Sequence, residues 1–180
     1  MTPTMWLAAA AVPYLAVLGW YDWRTRRLPN VLTFGGAVVA AVWRVGWGGW
    51  PCLAGGLLGG VIAGALLLIP FLLRAAGAGD LKYLFTGGLI VGFPAVFPML
   101  FITSVCGLIL GIVMQICGRL DLARVKHLFR SVFDWRYDRA AGRADLPSRE
   151  SESVRIPFGV AISSGIGLTL LLRMAGECVQ

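Results

Sequence analysis

Residues 28–73 read LPNVLTFGGAVVAAVWRVGWGGWPCLAGGLLGGVIAGALLLIPFLL, and Arg44 is the only charged residue in this 46-residue stretch. A single helix of that length would measure about 69 Å, at about 1.5 Å per residue. Roughly 20 apolar residues are enough to cross the hydrocarbon core of a bilayer. The stretch therefore predicts two crossings. Their turn is expected at residues 46–51 (GWGGWP), because glycine and proline break helices and tryptophan favours the membrane interface.

The composition of the whole chain agrees with a membrane protein. Of the 180 residues, 58% are hydrophobic and 14% are charged, and the mean hydropathy is +0.78. A soluble domain carries roughly a quarter charged residues, and disordered chains have the opposite bias. The four cysteines are too sparse for a disulfide scaffold and form no C-x-x-C pair, so no zinc or redox motif is predicted.

Three further apolar stretches complete the count of crossings. Residues 1–21 carry no charge, residues 83–118 carry none over 36 positions, and residues 156–172 form a short last stretch. The bend in the second of these is expected at residues 92–94 (GFP), with Pro98 as the alternative. We predict an all-α fold, a single membrane domain over residues 1–180 with six transmembrane helices. These helices are expected at about 4–21, 31–47, 52–73, 81–93, 95–117 and 156–174.

The positive charges give the orientation. Of 16 Lys and Arg residues, 14 lie in residues 22–27, 74–82 and 119–155. The positive-inside rule places these segments in the cytoplasm and the N-terminus outside. The net charge of +7 is thus attributed to topology, and no nucleic-acid partner is expected. The remaining two, Arg44 and Arg173, are expected near the outer helix ends, reaching toward the headgroups.

The segment 118–155 and the glycine pairs have less specific patterns. Residues 120–136 have helical apolar spacing with basic residues between, which predicts an amphipathic helix on the anionic inner leaflet. A polar loop follows, and His127 is expected on the solvated face. Glycines four residues apart, such as Gly56 and Gly60, favour close packing within the bundle over a dimer interface. The oligomeric state stays undetermined.

Two carboxyl groups, those of Asp22 and Asp80, border the apolar stretches. Ionisable residues at membrane depth are expensive and are candidates for function. Two crossings separate the helices that carry them, so both residues should lie on the cytoplasmic side. Two adjacent carboxyl groups cannot both ionise easily, and a pair sharing one proton can act as acid and base on a water molecule. Alternatively, Asp22 forms a surface ion pair with Arg24 or Arg26, and Asp80 caps a helix.

The sequences around these aspartates resemble known motifs. Residues 22–33 (DWRTRRLPNVLT) and 77–82 (GAGDLK) are similar to the two active-site motifs of the type IV prepilin peptidases, which are GxGD-type intramembrane aspartic proteases. Residues 155–162 (RIPFGVAI) look like the start of the family's last helix. The chain has no paired C-x-x-C motifs, and residues 22–30 leave no room for the domain that carries them. It is therefore similar to the short, peptidase-only branch of Tad/Flp pilus and preflagellin peptidases, without methyltransferase activity.

The resemblance implies an aspartic endopeptidase of the plasma membrane, bacterial or archaeal, that removes a basic leader from a prepilin-like membrane substrate. Which precursor it cleaves, and at which bond, stays open. No cofactor and no metal are implied. The family's catalytic aspartates correspond to Asp22 and Asp80, and the supporting positions are Gly77, Gly79, Lys82, Pro29 and Asn30. Lys82 is expected either to favour the ionised form of Asp80 or to reach toward lipid phosphate.

Two other function classes are compatible with the residues alone. A small proton-coupled transporter would also carry paired carboxyl groups, but with broken helices near the midplane of the membrane. A non-catalytic protein of a pilus machine is the other alternative.

Overall fold

The computed structural model describes residues 3–26, 28–72, 76–117 and 157–179. The described residues form helices and no strand, which confirms the all-α prediction. The predicted amphipathic helix and loop at 118–155 lie outside the described residues. The five helices are α1 (Pro3–Thr25), α2 (Asn30–Leu72), α3 (Ala78–Val91), α4 (Val96–Ile116) and α5 (Phe158–Val179).

Helix α2 is broken at Gly49, inside the predicted turn. Gly49 has φ 63° and ψ −158°, a conformation that is not helical and that essentially only glycine adopts. Pro51 follows in the first turn of the next segment, where a missing N–H costs little. We call residues 30–48 the first arm of α2 and residues 50–72 the second arm. The predicted six-residue turn is thus a break at one residue.

The two arms run in opposite directions along α3. The first arm is parallel to α3, since their contacts advance together: Asn30 with Lys82, Thr33 with Thr86, and Arg44 with Leu89. The second arm is antiparallel to α3, because its contacts advance in opposite senses: Gly55 with Phe93, Gly59 with Gly88, and Gly60 with Phe85. Helix α2 therefore folds back on itself, with α3 packed against both arms.

Glycine allows the close approach of α3 to the second arm. A Cβ atom added to Gly59 would lie 2.6 Å from the carbonyl oxygen of Gly88, and one added to Gly88 would lie 2.7 Å from the Cβ of Ala63. Gly55 and Gly111 differ, since an added Cβ would meet nothing within 4 Å. The prediction of close packing within the bundle is confirmed for Gly59 and Gly60.

Helix α5 joins α1, α3 and α4. It is antiparallel to α1, with Leu15 beside Gly167 and Gly19 beside Ser163, and antiparallel to α4, with Thr103 beside Gly165 and Gly107 beside Phe158. Its contact of Ser163 with Tyr83 lies near the first residues of both α5 and α3. The last turn of α1 and the first turns of α2, α3 and α5 therefore lie at one end of the bundle. We call it the Asp22 end.

The outward surface is apolar. Helices α2 and α4 and residues Phe158–Gly176 of α5 are long and apolar enough to cross a membrane. Large side chains on the outer face of α4, among them Leu108, Ile112 and Ile116, are exposed. Exposed apolar patches of this extent mark a surface for lipid or protein contact. Together these features indicate a membrane protein.

Arg44 corrects one sequence prediction. Its guanidinium group does not reach outward but donates hydrogen bonds to the carbonyl oxygens of Leu89 at 2.6 Å, Ile90 at 3.1 Å and Cys52 at 2.9 Å. The exposed Arg173 donates to the carbonyl oxygen of Val91 at 3.0 Å. The last carbonyls of a helix lack partners within the helix, and its C-terminus attracts cations. Both arginines therefore bind the C-terminal end of α3.

Candidate active site

Asp22 lies in the last turn of α1 and is buried, with 4% of its surface exposed. Its carboxyl group lies against Gly159 in the first turn of α5, close to the backbone amides of Gly159 and Val160. The first amides of a helix lack acceptors within the helix, and its N-terminus favours negative charge. Arg26 acts on the carboxyl group electrostatically. Burial nevertheless argues against the alternative of a surface ion pair.

One oxygen of this carboxyl group is unpartnered. The Oδ2 atom of Asp22 is buried and has no hydrogen-bond partner within the part of the chain that the structure describes. Buried polar atoms are nearly always hydrogen-bonded, and an unpaired one carries a free-energy cost. The atom can therefore take part in one more hydrogen bond.

Asp80 is the third residue of α3 and is half-buried. Its Oδ2 accepts a hydrogen bond of 3.3 Å from the backbone amide of Gly77, the residue that precedes the helix. Asp80 thus caps α3, as the alternative interpretation of the sequence predicts. It does so from the third position of the helix and not from the residue before it. This bond orients the carboxyl group at the N-terminus of α3.

Both aspartates lie at the Asp22 end, and α5 connects them. The hydroxyl group of Tyr83, one turn after Asp80, lies 2.8 Å from the Oγ of Ser163. The single hydroxyl hydrogen of Ser163 forms a hydrogen bond of 2.9 Å to the carbonyl oxygen of Gly159, so Tyr83 is the donor of the bond to Ser163. Gly159 in turn contacts Asp22. A continuous set of contacts therefore runs from Asp22 through the first two turns of α5 to the helix that carries Asp80.

The glycines of the second motif lie in tight contact with neighbouring side chains. Gly77 has φ −79° and ψ 148°, an extended conformation that any residue adopts. A Cβ added to Gly77 would lie 3.1 Å from the Oδ2 of Asp80, and one added to Gly79 would lie 3.2 Å from the Cβ of Leu28. Gly79 thus lets the start of α3 approach the connection between α1 and α2.

The remaining predicted residues lie beside this connection. The carbonyl oxygen of Pro29 accepts hydrogen bonds from the backbone amides of Leu32 and Thr33 and so closes the first turn of α2. The Nζ of Lys82 donates to the Oδ1 of Asn30 at 3.1 Å and lies 4.8 Å above the ring of Phe34. Lys82 therefore joins the start of α3 to the start of α2, a contact that the sequence did not predict.

Three residues of the site were not identified from the sequence as site residues: Tyr83, Gly159 and Ser163. Tyr83 could have been found, since it follows Asp80 by three positions and so lies on the same face of a helix. Gly159 lies in the third motif-like stretch, but nothing in the sequence places that stretch against Asp22.

The described residues contain no group of three or more His, Cys, Asp or Glu side chains that could hold a metal ion. The absence of a cofactor stays a prediction. The chemistry available from the described side chains at this site is that of carboxyl and hydroxyl groups, with a lysine nearby.

Comparison with known proteins identifies the family. The sequence model of the type IV leader peptidase family matches residues 9–112, more than half of the chain. This range contains both aspartates and all five supporting positions, and it ends before α5. Neither the search of curated proteins nor that of solved structures found a match. The resemblance of the two motifs is thus confirmed: the chain belongs to the type IV leader peptidase family.

Proposed function

We propose that this protein is an aspartic endopeptidase that removes the short basic leader of type IV prepilin-like substrates at the cytoplasmic boundary of the plasma membrane. Membership of a leader peptidase family supports the proteolytic reaction. The observation that carries the assignment of residues is the position of Asp22 and Asp80 at one end of the bundle, connected through α5.

The two carboxyl groups would share the work of acid and base. The base takes a proton from a water molecule, and the oxygen of that water attacks the scissile carbonyl carbon. The acid gives a proton that ends on the leaving amine as the C–N bond of the peptide breaks. No covalent intermediate with the enzyme forms. The Oδ2 of Asp22 supports this role, because it has no hydrogen-bond partner among the described residues and is open to a hydrogen bond from water or substrate. The titration would belong to the pair and not to either residue.

Six crossings are proposed for the chain. Taking the two arms of α2 separately, six helical segments alternate in direction, which supports this count. With 14 residues, α3 is shorter than a lipid-exposed crossing requires. Its residues from Tyr83 to Leu84 and Thr86 to Val91 are buried, so protein surrounds it in place of lipid.

The basic residues support a cytoplasmic active site. Arg24, Arg26 and Lys82 all lie at the Asp22 end, and the positive-inside rule assigns such an end to the cytoplasm. A substrate leader held inside by its own positive charges would meet the aspartates there. The substrate would continue into the membrane as a hydrophobic helix. Methylation of the product is not expected from this chain.

The alternative of a proton-coupled transporter has less support. Such proteins carry their ionisable residues at broken helices near the midplane. Here the break in α2, at Gly49, lies near the end of α3 opposite to Asp80, and both aspartates lie near helix ends. Nothing specific to the described residues favours a non-catalytic assembly protein.

Co-expression with a candidate prepilin, followed by separation of precursor and product on a gel, tests the proposal. Asp22→Asn and Asp80→Asn should each abolish leader removal while the protein still accumulates in the membrane. Asp145→Asn, in the predicted loop, serves as the matched control and should cleave normally. Cleavage at the normal rate by either of the first two variants would refute the assignment of the pair.

A further inference from the structure

Helix α5 begins beyond residue 112, where the match to the family model ends. Its first two turns nevertheless touch both helices that carry the aspartates. Gly159 contacts Asp22 of α1, and Ser163, one turn later, contacts Tyr83 of α3. Because α5 contacts both α1 and α3, it can fix the distance between Asp22 and Asp80.

Gly159 leaves no space for a side chain. An added Cβ would lie 2.8 Å from the Oδ2, 2.9 Å from the Cγ and 3.0 Å from the Cβ of Asp22. These three atoms belong to one buried side chain, so the whole carboxyl group would have to shift. The fit between the Gly159 backbone and Asp22 therefore sets where the carboxyl group lies.

Ser163 forms the second contact. Its hydroxyl group accepts a hydrogen bond from the hydroxyl group of Tyr83, which has 0% of its surface exposed, and donates one to the carbonyl oxygen of Gly159. A Cβ added to Gly19 of α1 would lie 3.1 Å from the Ser163 Oγ, so α1 also packs closely at this level. Because Tyr83 follows Asp80 by one turn, this bond fixes the face of α3 that carries Asp80.

We propose that Gly159 and Ser163 are positioning residues of the peptidase, which set the geometry of the Asp22–Asp80 pair from α5. This inference rests on the proposed function, because it assigns a role within the same site. Neither residue needs to touch the substrate. Each acts through the side chain that it holds, Gly159 through Asp22 and Ser163 through Tyr83.

Cleavage kinetics with matched glycine and serine variants form the first test. Gly159→Ala should lower kcat at least about tenfold, since displacing a reacting group by about 1 Å costs this much or more, with KM within about twofold of wild type. Gly167→Ala is the control, because its added Cβ lies 3.9 Å from Leu15, an ordinary contact. Ser163→Ala should lower kcat about fivefold, the worth of one hydrogen bond. Its control is Ser164→Ala, whose hydroxyl is exposed and donates a hydrogen bond within its own helix, to the carbonyl oxygen of Val160.

The hydrogen bond between Tyr83 and Ser163 can be tested from both of its ends. Tyr83→Phe removes the same hydrogen bond as Ser163→Ala, so the double variant should be no slower than the slower single variant. Multiplied effects would mean that the two residues act separately, which would overturn the role given to Ser163.

A second experiment, thermal unfolding, does not depend on activity. Gly159→Ala should lower the midpoint of thermal unfolding in the wild-type background and less in an Asp22→Ala background, where the two closest crowding atoms, the Oδ2 and Cγ of Asp22, are gone and only the Cβ contact at 3.0 Å remains. Gly167→Ala should shift the midpoint equally in both backgrounds. If Gly159→Ala fails to accumulate in the membrane alone but accumulates together with Asp22→Ala, the contact is supported. Failure in both backgrounds would overturn it.

The outcomes separate the inference from the proposed function. Normal kcat for Gly159→Ala, in an enzyme that Asp22→Asn inactivates, would overturn the positioning role and leave the function intact. An equal loss in Gly159→Ala and Gly167→Ala would do the same, since it would show general helix packing. If the wild-type chain cleaves no prepilin, the proposed function fails, and the unfolding experiment still decides whether Gly159 positions Asp22.

Discussion

Arg44, on the first arm of α2, donates a hydrogen bond of 2.6 Å to the carbonyl oxygen of Leu89, near the end of α3. The same guanidinium group reaches Ile90 and, across the break in α2, Cys52. One side chain thus connects both arms of α2 to the end of α3 remote from the aspartates. Arginine suits this position because its planar group presents several donors in fixed directions.

Arg44→Gln is expected to destabilise the protein by about 2 kcal/mol, because it leaves carbonyl groups without donors. Arg44→Lys should recover part of this loss, as a single ammonium group cannot reach three carbonyl oxygens. Denaturant unfolding in detergent micelles measures both. Arg173→Gln is the control: this exposed residue donates one bond to α3, to Val91, and should cost less. Equal losses at the two arginines would contradict the role given to Arg44.

The break in α2 makes a separate prediction. Gly49→Ala places a side chain at φ 63° and ψ −158°, and strain of this kind costs about 1–3 kcal/mol. The matched control is Gly46→Ala, three residues earlier in α2, where an added Cβ meets nothing within 4 Å. Unfolding midpoints in detergent should fall for Gly49→Ala and stay level or rise for Gly46→Ala. A harmless Gly49→Ala would mean that the arms do not need this conformation.

The sequence predicted the framework of this molecule because the framework depends on local features. Stretches without charge predicted the helices, and the clusters of glycine and proline predicted the breaks at Gly49 and after Val91. The motifs around Asp22 and Asp80 predicted the family. Each of these features lies within a short segment of the chain.

The remaining contacts depend on which helices become neighbours. The contact of Asp22 with Gly159, the bond between Tyr83 and Ser163, and that between Lys82 and Asn30 each join distant segments. In a hydrophobic chain most helix faces are apolar, so the periodicity does not indicate which face packs against which. Arg44 was misassigned for the same reason, since its partners lie on α3.

The glycines between α2 and α3 give a third prediction. A Cβ on Gly88 would come within 2.7 Å of the Ala63 Cβ and would also press on the backbone of Gly59. Gly88→Ala should therefore destabilise the protein by about 1–3 kcal/mol through overpacking. Gly111→Ala, in α4, meets nothing within 4 Å and should be neutral or slightly stabilising, because alanine favours helix. Reversible unfolding in mild detergent compares the two. A neutral Gly88→Ala would contradict the close approach of the helices.

The pH dependence of leader removal gives the last prediction. If Asp22 and Asp80 share one proton, the rate falls at low pH, where both carboxyl groups are protonated and no base remains. It falls again at high pH, where both are ionised and no acid remains. A bell-shaped profile is therefore expected, with two apparent pKa values that belong to the pair. Initial rates measured on a detergent-solubilised prepilin across the pH range give this profile. Lys82→Met should keep the bell shape, because Lys82 bonds to Asn30 and lies over Phe34. A rate that rises to a plateau with no fall at high pH would mean that a single base acts without a partner acid.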